Sequence, residues 1–265
     1  EGKSNKIHNH LFNKGNKYSM PYVTIVMPAY NSEMYIAQAI ESVINQTHTN
    51  FELLICDDGS TDGTTSIVSK YIVQDNRIKL LENINPKGAA GARNTCLDYA
   101  KGDFIAFLDS DDYWVEDKLE KQLNFMLENN IQFSYSNYYM FAERFQKKIS
   151  CRKHNSFNSL TYTCDIGCLT VVLSKKAIGE LRFPYVPKED YAFWLMLLEQ
   201  DLMAYNQGGY NAFYRKQKQS LSGNKLKEIV RQYIVLTNAT NLSKCAIFYR
   251  LITYGYNAFI KHYVK

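Results

Sequence analysis

The sequence has no long run of lysine and arginine and no long uninterrupted apolar segment. Its formal net charge at pH 7 is +5, from 31 Lys and Arg against 26 Asp and Glu. Without a concentrated basic patch, nucleic acid is not a favoured partner. Because no apolar window is long enough to cross a bilayer, the chain is not expected to be an integral membrane protein. Residues 1–20 lack the apolar core of a signal peptide, and we expect them to form a flexible tail.

Cysteine is sparse and irregularly spaced. Six cysteines in 265 residues do not make the dense disulfide framework of a small secreted domain, so we expect reduced thiols and a cytoplasmic protein. Cys151, His154, Cys164 and Cys168 offer four zinc ligands, but their spacing matches no common zinc module. Cys168 also falls in the apolar run 166–173, which predicts a buried strand. Buried free thiols are therefore favoured over zinc.

Apolar residues make up 46% of the chain, which includes 21 Tyr and 14 Phe. A chain of this length and composition can bury one substantial core, as one domain with an appendage. From Tyr22, apolar runs at 22–27, 51–56, 78–81 and 104–108 each precede a helical pattern. This alternation predicts an α/β fold with a mostly parallel sheet and helices on both faces.

Acidic and turn residues follow these predicted strands. In a parallel sheet, ligands bind beyond the carboxyl ends of the strands, so Pro28, Asp57, Asp58, Asp109 and Asp111 should converge on one crevice. Carboxylates at a sheet edge are costly unless a cation lies there. With no His or thiolate beside them, they suit Mg²⁺ or Mn²⁺ held together with substrate phosphates. The alternative is that Asp109 and Asp111 cap the next helix. The expected convergence favours the metal.

Four short motifs occur in a fixed order. They are Val26-Met27-Pro28-Ala29-Tyr30-Asn31, Asp57-Asp58-Gly59-Ser60-Thr61-Asp62, Ala92-Arg93-Asn94 and Leu108-Asp109-Ser110-Asp111-Asp112. Together they resemble the ordered signature of the family 2 inverting glycosyltransferases with the GT-A fold, and the resemblance covers about residues 22–222. It implies a catalytic domain over 21–222, with a nucleotide-sugar half over 21–112 and an acceptor half over 113–222.

The resemblance implies a site for a nucleotide sugar. Pro28, Ala29 and Tyr30 would border the base and ribose. Asp58, with Asp57 beside it, would accept a hydrogen bond from the nucleobase imide, which suits uracil better than guanine. The nucleotide sugar would also contact Asp109, Ser110 and Arg93, and Arg93 either approaches the phosphates or braces the loop. The implied cofactor is Mn²⁺ or Mg²⁺, with Asp111 as the main ligand and Asp109 as the second.

The family's catalytic base lies in a Glu-Asp-then-Trp pattern, and Asp190, four residues before Trp194, is the matching position. Glu189 is the reserve candidate, and a helix-capping role for these acids is the alternative. Residues 214–222 resemble the Tyr-Arg-x-His-x-x-Ser segment that folds over the diphosphate, which makes Arg215 a phosphate partner. Gln217 stands where the pattern has His, so one contact to metal or phosphate is removed. A solvated basic loop is the alternative.

Two further stretches have simpler predictions. Residues 138–160 are irregular and basic, and we expect a loop or short hairpin over the site. Residues 223–265 predict two amphipathic helices, the second with Arg250, Lys261 and Lys265 on its polar side. That composition suits packing on the domain itself or on a second subunit, and also an interfacial membrane helix. Packing is favoured, and peripheral contact with the inner face of the cell membrane stays open.

The resemblance implies an inverting, metal-dependent enzyme that transfers a sugar from a UDP-sugar to a hydroxyl of a glycan or lipid-linked acceptor. The expected setting is bacterial surface polysaccharide synthesis, as for capsule, O-antigen or lipooligosaccharide. A non-catalytic nucleotide-sugar-binding or scaffold protein of the same fold is the alternative, and a nucleotidyltransferase is a weaker one. The joint presence of Asp109, Asp111 and Asp190 favours an enzyme. The sugar, the linkage and the oligomeric state stay open.

Overall fold

The computed structural model of the chain describes residues 20–143, 145–216 and 225–263. The N-terminal tail up to residue 19 and Gln217 lie outside these ranges. The strands are β1 Val23–Ala29, β2 Phe51–Asp57, β3 Ile78–Glu82, β4 Phe104–Phe107, β5 Tyr113–Trp114, β6 Phe133–Ala142, β7 Phe145–Ile149, β8 His154–Asn155, β9 Val172–Ser174 and β10 Ala204–Arg215. The helices are α1 Ile36–Ile44, α2 Thr64–Gln74, α3 Ala89–Tyr99, α4 Lys118–Glu128, α5 Phe157–Leu160, α6 Lys175–Ile178, α7 Glu189–Leu198, α8 Lys225–Ala239 and α9 Lys244–Tyr263.

One mixed sheet runs through the domain in the order β3-β2-β1-β4-β9-β6-β10-β5. The pairs β3-β2, β2-β1 and β1-β4 are parallel, which confirms the predicted parallel half. β9 is antiparallel to both β4 and β6, whereas β10 is parallel to β6. β7 pairs with β6 as an antiparallel hairpin, as predicted for part of residues 138–160. The carboxyl ends of β1, β2, β4, β6 and β10 therefore lie at the same edge of the sheet.

The predicted strand over 166–173 is wrong in its first half. Cys168–Thr170 form a turn of 3₁₀ helix, and the strand begins only at Val172. Thr170 donates from both its N–H and its hydroxyl to the Gly167 carbonyl, at 2.9 and 2.7 Å. The Trp114 indole N–H donates to the Leu169 carbonyl at 2.8 Å. These bonds satisfy the backbone without a strand partner, which an apolar pattern alone does not reveal.

Helices cover both faces of the sheet. On one face α1, α2 and α4 contribute Ile36, Val68 and Leu123 to a buried cluster. On the other face α3 and α7 contribute Cys96 and Trp194 to a second cluster. The strands between these layers are apolar on both faces, as in buried parallel sheets.

An aromatic cluster fixes the start of α7 against the end of β4. Phe107 and Trp194 pack edge to face with ring centroids 5.6 Å apart, and Phe183 stacks on Phe193 at 4.1 Å. Phe107 precedes Asp109 by two residues, and Trp194 follows Asp190 by four. The cluster therefore sets the relative position of the two segments that carry the predicted metal ligand and the predicted base.

The C-terminal helices pack on the domain through their inner faces. Val235 and Leu236 are fully buried, and Ile247 is 5% exposed. The Gln232 amide donates to the Tyr191 hydroxyl at 2.7 Å. Arg250, predicted on the polar side of α9, instead donates to Thr161 and Asn158 of the same domain. Among the helices described, none combines the length and apolarity required to cross a bilayer.

Candidate active site

Three adjoining cavities lie beyond the carboxyl ends of the strands. The first, of about 550 Å³, is lined by residues after β2 and β3, among them Asp57 and Asp58. The second, of about 320 Å³, shares Asp58 with the first and contains Asp109 and Asp111. The third, of about 240 Å³, contains Asp190 and shares a wall with the second. The structure thus brings the two halves of the predicted site together.

Asp57 and Asp58 hold the loops around the first cavity. Asp57 Oδ2 accepts from the N–H groups of Gly59 and Ser60, at 3.2 and 3.1 Å. Gly59 has φ +88°, a conformation that favours glycine and closes this turn. Asp57 Oδ1 is buried and has no hydrogen-bond partner among the residues that the structure describes. An unpaired buried acceptor at a cavity wall is costly, so this oxygen is a candidate for binding a donor group of a ligand.

Asp58 is engaged on both oxygens. Its Oδ1 accepts from the Asn83 amide at 2.5 Å, and its Oδ2 accepts from the Gly88 N–H at 2.8 Å. These bonds tie the end of β2 to the loop before α3. Because each carboxylate oxygen has two lone pairs, Asp58 keeps acceptor capacity for the predicted nucleobase contact.

The second cavity is lined by the turn after β1 and by the segment after β4. Pro28, Ala29 and Tyr30 form one wall, and Tyr30 is 56% exposed. Ser110 does not present its side chain to this cavity. It is 7% exposed, and its hydroxyl lies 2.7 Å from that of Ser32, which joins the two walls.

Arg93 forms the partition between the second and third cavities. Its side chain is 4% exposed and donates to Asp109 at 2.6 Å and to Glu189 at 2.7 Å. Burial by itself would lower the pKa of Arg93, but the negative charges of Asp109 and Glu189 hold it above its usual value. Arg93 therefore braces the site by linking the segment after β4 to the first turn of α7. Its role toward phosphate stays a prediction.

Asp190 lies in the third cavity with Tyr138, Cys168 and Tyr214. Burial, reinforced by the adjacent Glu189 carboxylate, raises the pKa of Asp190 to about 6, although Arg93 acts in the opposite direction. The Glu189 carboxylate accepts a hydrogen bond from the Arg93 guanidinium, whereas the Asp190 carboxylate accepts one from the backbone N–H of Tyr191, the next residue. A carboxylate whose pKa lies near neutrality is suited to accept a proton.

Arg215 lies beside the acidic segment that follows β4. Its backbone N–H donates to Asp112 Oδ1 at 2.7 Å, and its Nε donates to the Asp111 carbonyl at 2.8 Å. The guanidinium lies over the rings of Tyr35 and Phe141, at 4.5 and 4.6 Å. Arg215 thus holds the segment after β4 in place, and its contact with a diphosphate stays a prediction.

Comparison with known proteins identifies the family. Residues 24–175 match Glycosyl transferase family 2. The chain belongs to this family. A relative from Escherichia coli, named UDP-Glc:alpha-D-GlcNAc-diphosphoundecaprenol beta-1,3-glucosyltransferase WfgD, is 46% identical over 231 residues, which span 86% of this chain and 90% of the relative.

Solved structures confirm the GT-A fold for this family 2 glycosyltransferase. TarS 1-349 of S. aureus in complex with UDP-GlcNAc aligns with a TM-score of 0.68 and 23% identity, over 93% of this chain and 76% of the TarS chain. The mannosyltransferase PcManGT of Pyrobaculum calidifontis in complex with GDP-Man and Mn²⁺ aligns with a TM-score of 0.66 and 18% identity, over 90% of this chain and 70% of the other.

The donor set of the glycosyltransferase fits a divalent ion held jointly with a substrate. Asp109 and Asp111 line one cavity and offer oxygen ligands only. Within the described ranges, no group of three or more His, Cys, Asp or Glu side chains is arranged to hold a metal. Mg²⁺ and Mn²⁺ need few protein ligands when phosphates and water complete the coordination, so two carboxylates are compatible with such an ion.

The contacts of several site residues were not predicted, although Tyr138 and Tyr214 each begin a stretch that was expected to lie over the site. Asn83 follows β3 at its carboxyl end, so its position in the chain was an available signal. Tyr138 and Tyr214 lie within strands and line the third cavity. Their aromatic side chains are typical of a core, and only the pairing of β6 with β10 places them beside Asp190.

Proposed function

We propose that this glycosyltransferase transfers a sugar from a UDP-sugar to a hydroxyl of a lipid-linked glycan acceptor, with inversion, in bacterial surface polysaccharide synthesis. The observation that carries the proposal is Asp190, a carboxylate whose pKa burial raises to about 6, in a cavity that Asp109 and Arg93 also line. The relative WfgD supports the donor and acceptor classes, since its name specifies UDP-Glc and a diphosphoundecaprenol-linked sugar.

The donor would occupy the first two cavities, with its base near Asp57 and Asp58 and its diphosphate near Asp109 and Asp111. A bound Mg²⁺ or Mn²⁺ would offset the negative charge that develops on the departing diphosphate. Asp109 and Asp111 would hold that ion, and Arg93 fixes the orientation of Asp109.

The acceptor hydroxyl would enter the third cavity. Asp190 would take its proton as the oxygen attacks the anomeric carbon, which develops oxocarbenium character. The proposed base lies in the third cavity and the proposed diphosphate position in the second, so attack and departure would occur on opposite sides of the sugar. A single displacement of this kind inverts the anomeric configuration and needs no covalent intermediate.

The alternative of a non-catalytic scaffold protein does not explain why the third cavity contains a carboxylate with a raised pKa, Asp190. Keeping an ionised Asp190 in a site that raises its pKa lowers the stability of the folded protein. Functional sites commonly have such a cost, because groups with perturbed pKa values serve chemistry.

The proposal is tested first by titration calorimetry with UDP and, separately, GDP, with Mn²⁺ present and then chelated. We expect metal-dependent binding of UDP and weaker binding of GDP. Asp111→Ala should abolish the metal dependence, and Asp190→Asn should bind UDP as the wild type does. Absence of nucleotide binding by the folded wild type would refute the proposal.

Turnover is tested with UDP-glucose and a GlcNAc-diphosphate-lipid acceptor. Because a base matters only in the transition state, Asp190→Asn should lower kcat by about a thousandfold or more with little change in donor affinity. Normal turnover by this variant would refute Asp190 as the base.

A further inference from the structure

We propose that the β6–β7 hairpin and the end of β10 form a binding surface for the diphosphate and the adjoining isoprenoid of a polyprenyl-diphosphate-linked acceptor. The surface, here called the hairpin surface, consists of Met140, Phe145, Lys147 and Lys216. The inference rests on the proposed function, because it specifies where the part of the acceptor beyond its sugar binds.

Strand alternation places the hairpin surface on the same face of the sheet as the third cavity. Tyr138 lines that cavity, so Met140, two residues further along β6, projects from the same face. Met140 pairs in register with Lys147 of β7 and with Tyr214 of β10, and Tyr214 also lines the cavity. The surface therefore continues directly from the position proposed for the acceptor sugar.

The hairpin surface carries exposed positive charge. Lys147 and Lys216 are both exposed, and neither has an ion-pair partner in the part of the chain that the structure describes. The Lys216 ammonium lies 5.7 Å from the centre of the Phe145 ring. Two lysines with no ion-pair partner among the described residues, beside the cavity proposed for the acceptor sugar, suit an anion, and a diphosphate is the anion of the proposed acceptor.

The apolar members of the surface lie beside these lysines. Met140 is half-buried, and Phe145, which pairs in register with Ala142, is 43% exposed. Positions on the same face of a strand are about 7 Å apart. Along the hairpin, Lys147 therefore lies about one such step from the third cavity, and Phe145 lies about one step further. Sugar, diphosphate and isoprenoid follow one another in the same order along a polyprenyl-linked acceptor.

The opposite face of the same hairpin supplies a matched control. Lys148 is exposed, like Lys147, but its ammonium lies over the rings of Tyr139 and Tyr210, at 6.0 and 5.2 Å from the ring centres. These two rings face away from the third cavity. Lys148→Gln therefore removes the same charge from the same strand without touching the hairpin surface.

The first experiment compares acceptors in transfer assays with UDP-glucose. One acceptor is α-GlcNAc diphosphate carrying a short alkyl chain, and the other is the α-GlcNAc glycoside of the same alkyl chain without diphosphate. In the double variant Lys147→Gln, Lys216→Gln, KM for the diphosphate acceptor should rise about tenfold, because two exposed charge contacts are lost. Its kcat and its KM for the glycoside should stay unchanged, as should all constants of Lys148→Gln.

An equal rise in KM with the glycoside, or with Lys148→Gln, would overturn the proposal, since the effect would then not depend on diphosphate at this face. So would an unchanged KM in the double variant. Failure of the wild type to transfer to either acceptor would instead count against the proposed function.

A second measurement tests the surface without turnover. Binding of farnesyl diphosphate is followed by calorimetry on protein saturated with UDP and Mn²⁺, so that the donor site is filled. The double variant should bind several-fold more weakly than the wild type and than Lys148→Gln. Equal binding by all three proteins would refute the surface. Loss of binding to anionic vesicles that lack diphosphate lipid, with farnesyl diphosphate binding intact, would assign the lysines to the membrane surface instead.

Discussion

The pH dependence of transfer offers a direct test of the geometry around Asp190. The perturbation is Glu189→Gln, which removes a negative charge beside Asp190 but keeps an oxygen that can accept from Arg93. Burial is the main cause of the raised pKa of Asp190, and Glu189 is the next. The groups that face Asp190 from other elements are Arg93 on α3, which lowers this pKa, and Asp109 after β4, which raises it.

The size of the effect follows from the charge that is removed. Asp190 must be ionised to accept a proton, so the rate of the wild type should fall below about pH 6 and level off above it. Adjacent charges in a partly buried site interact by about 1 kcal/mol or more, so Glu189→Gln should move this acidic limb down by on the order of one pH unit. At pH 8, where Asp190 is ionised in both proteins, turnover should stay similar.

The assay measures kcat/KM for transfer across the pH range in which the protein stays folded. Glu180→Gln, at an exposed position outside the site, is the matched control and should leave the profile unchanged. An unshifted acidic limb in Glu189→Gln would refute the electrostatic coupling of the two carboxylates. Loss of turnover at every pH in that variant would transfer the role of base to Glu189.

Three further predictions concern stability. The folded state raises the pKa of Asp190 to about 6, so the cost of ionising this carboxyl group develops as the pH rises to about 6 and is fully present above it. Asp190→Asn should therefore raise the free energy of unfolding by about 2 kcal/mol at pH 8 and have little effect at pH 4. A gain in stability that is independent of pH would contradict this. Arg93→Ala leaves two carboxylates without their shared partner and should cost about 3 kcal/mol in urea unfolding, whereas Arg182→Ala, which breaks an exposed pair, should cost less than about 1 kcal/mol. A stop after residue 222 removes Val235 and the rest of a buried helix face and should lower Tm, whereas an unchanged Tm would show that the domain does not need these helices.

Much of the site was predictable because its acidic residues follow strands directly. Asp57 and Asp109 come after apolar runs, and parallel strands necessarily end at one edge of a sheet. The sequence also contains the pattern that places Asp190 four residues before Trp194. The local order of residues along the chain was sufficient to predict the alternation of strands and helices, to show the family resemblance and to identify the candidate acidic residues.

The tertiary structure decided which of these residues meet and how they are engaged. Arg93 was left between two roles by its sequence, and only folding places it between Asp109 and Glu189, which lie 16 and 96 positions away. Likewise, Ser110 is engaged by Ser32 across 78 positions. Such pairings depend on strand order and helix packing, which no local pattern encodes.

The sequence by itself determined the elements, the family and the residues capable of the chemistry, because these depend on short-range patterns of apolar, acidic and turn residues. The sheet order decided the rest. The pairing of β6 with β10 brings Tyr138 and Tyr214 beside Asp190, and burial of the Asp190 carboxylate in the folded chain raises its pKa. Burial and proximity across the sheet are properties of the packed chain, so they appear only once the strands are assembled.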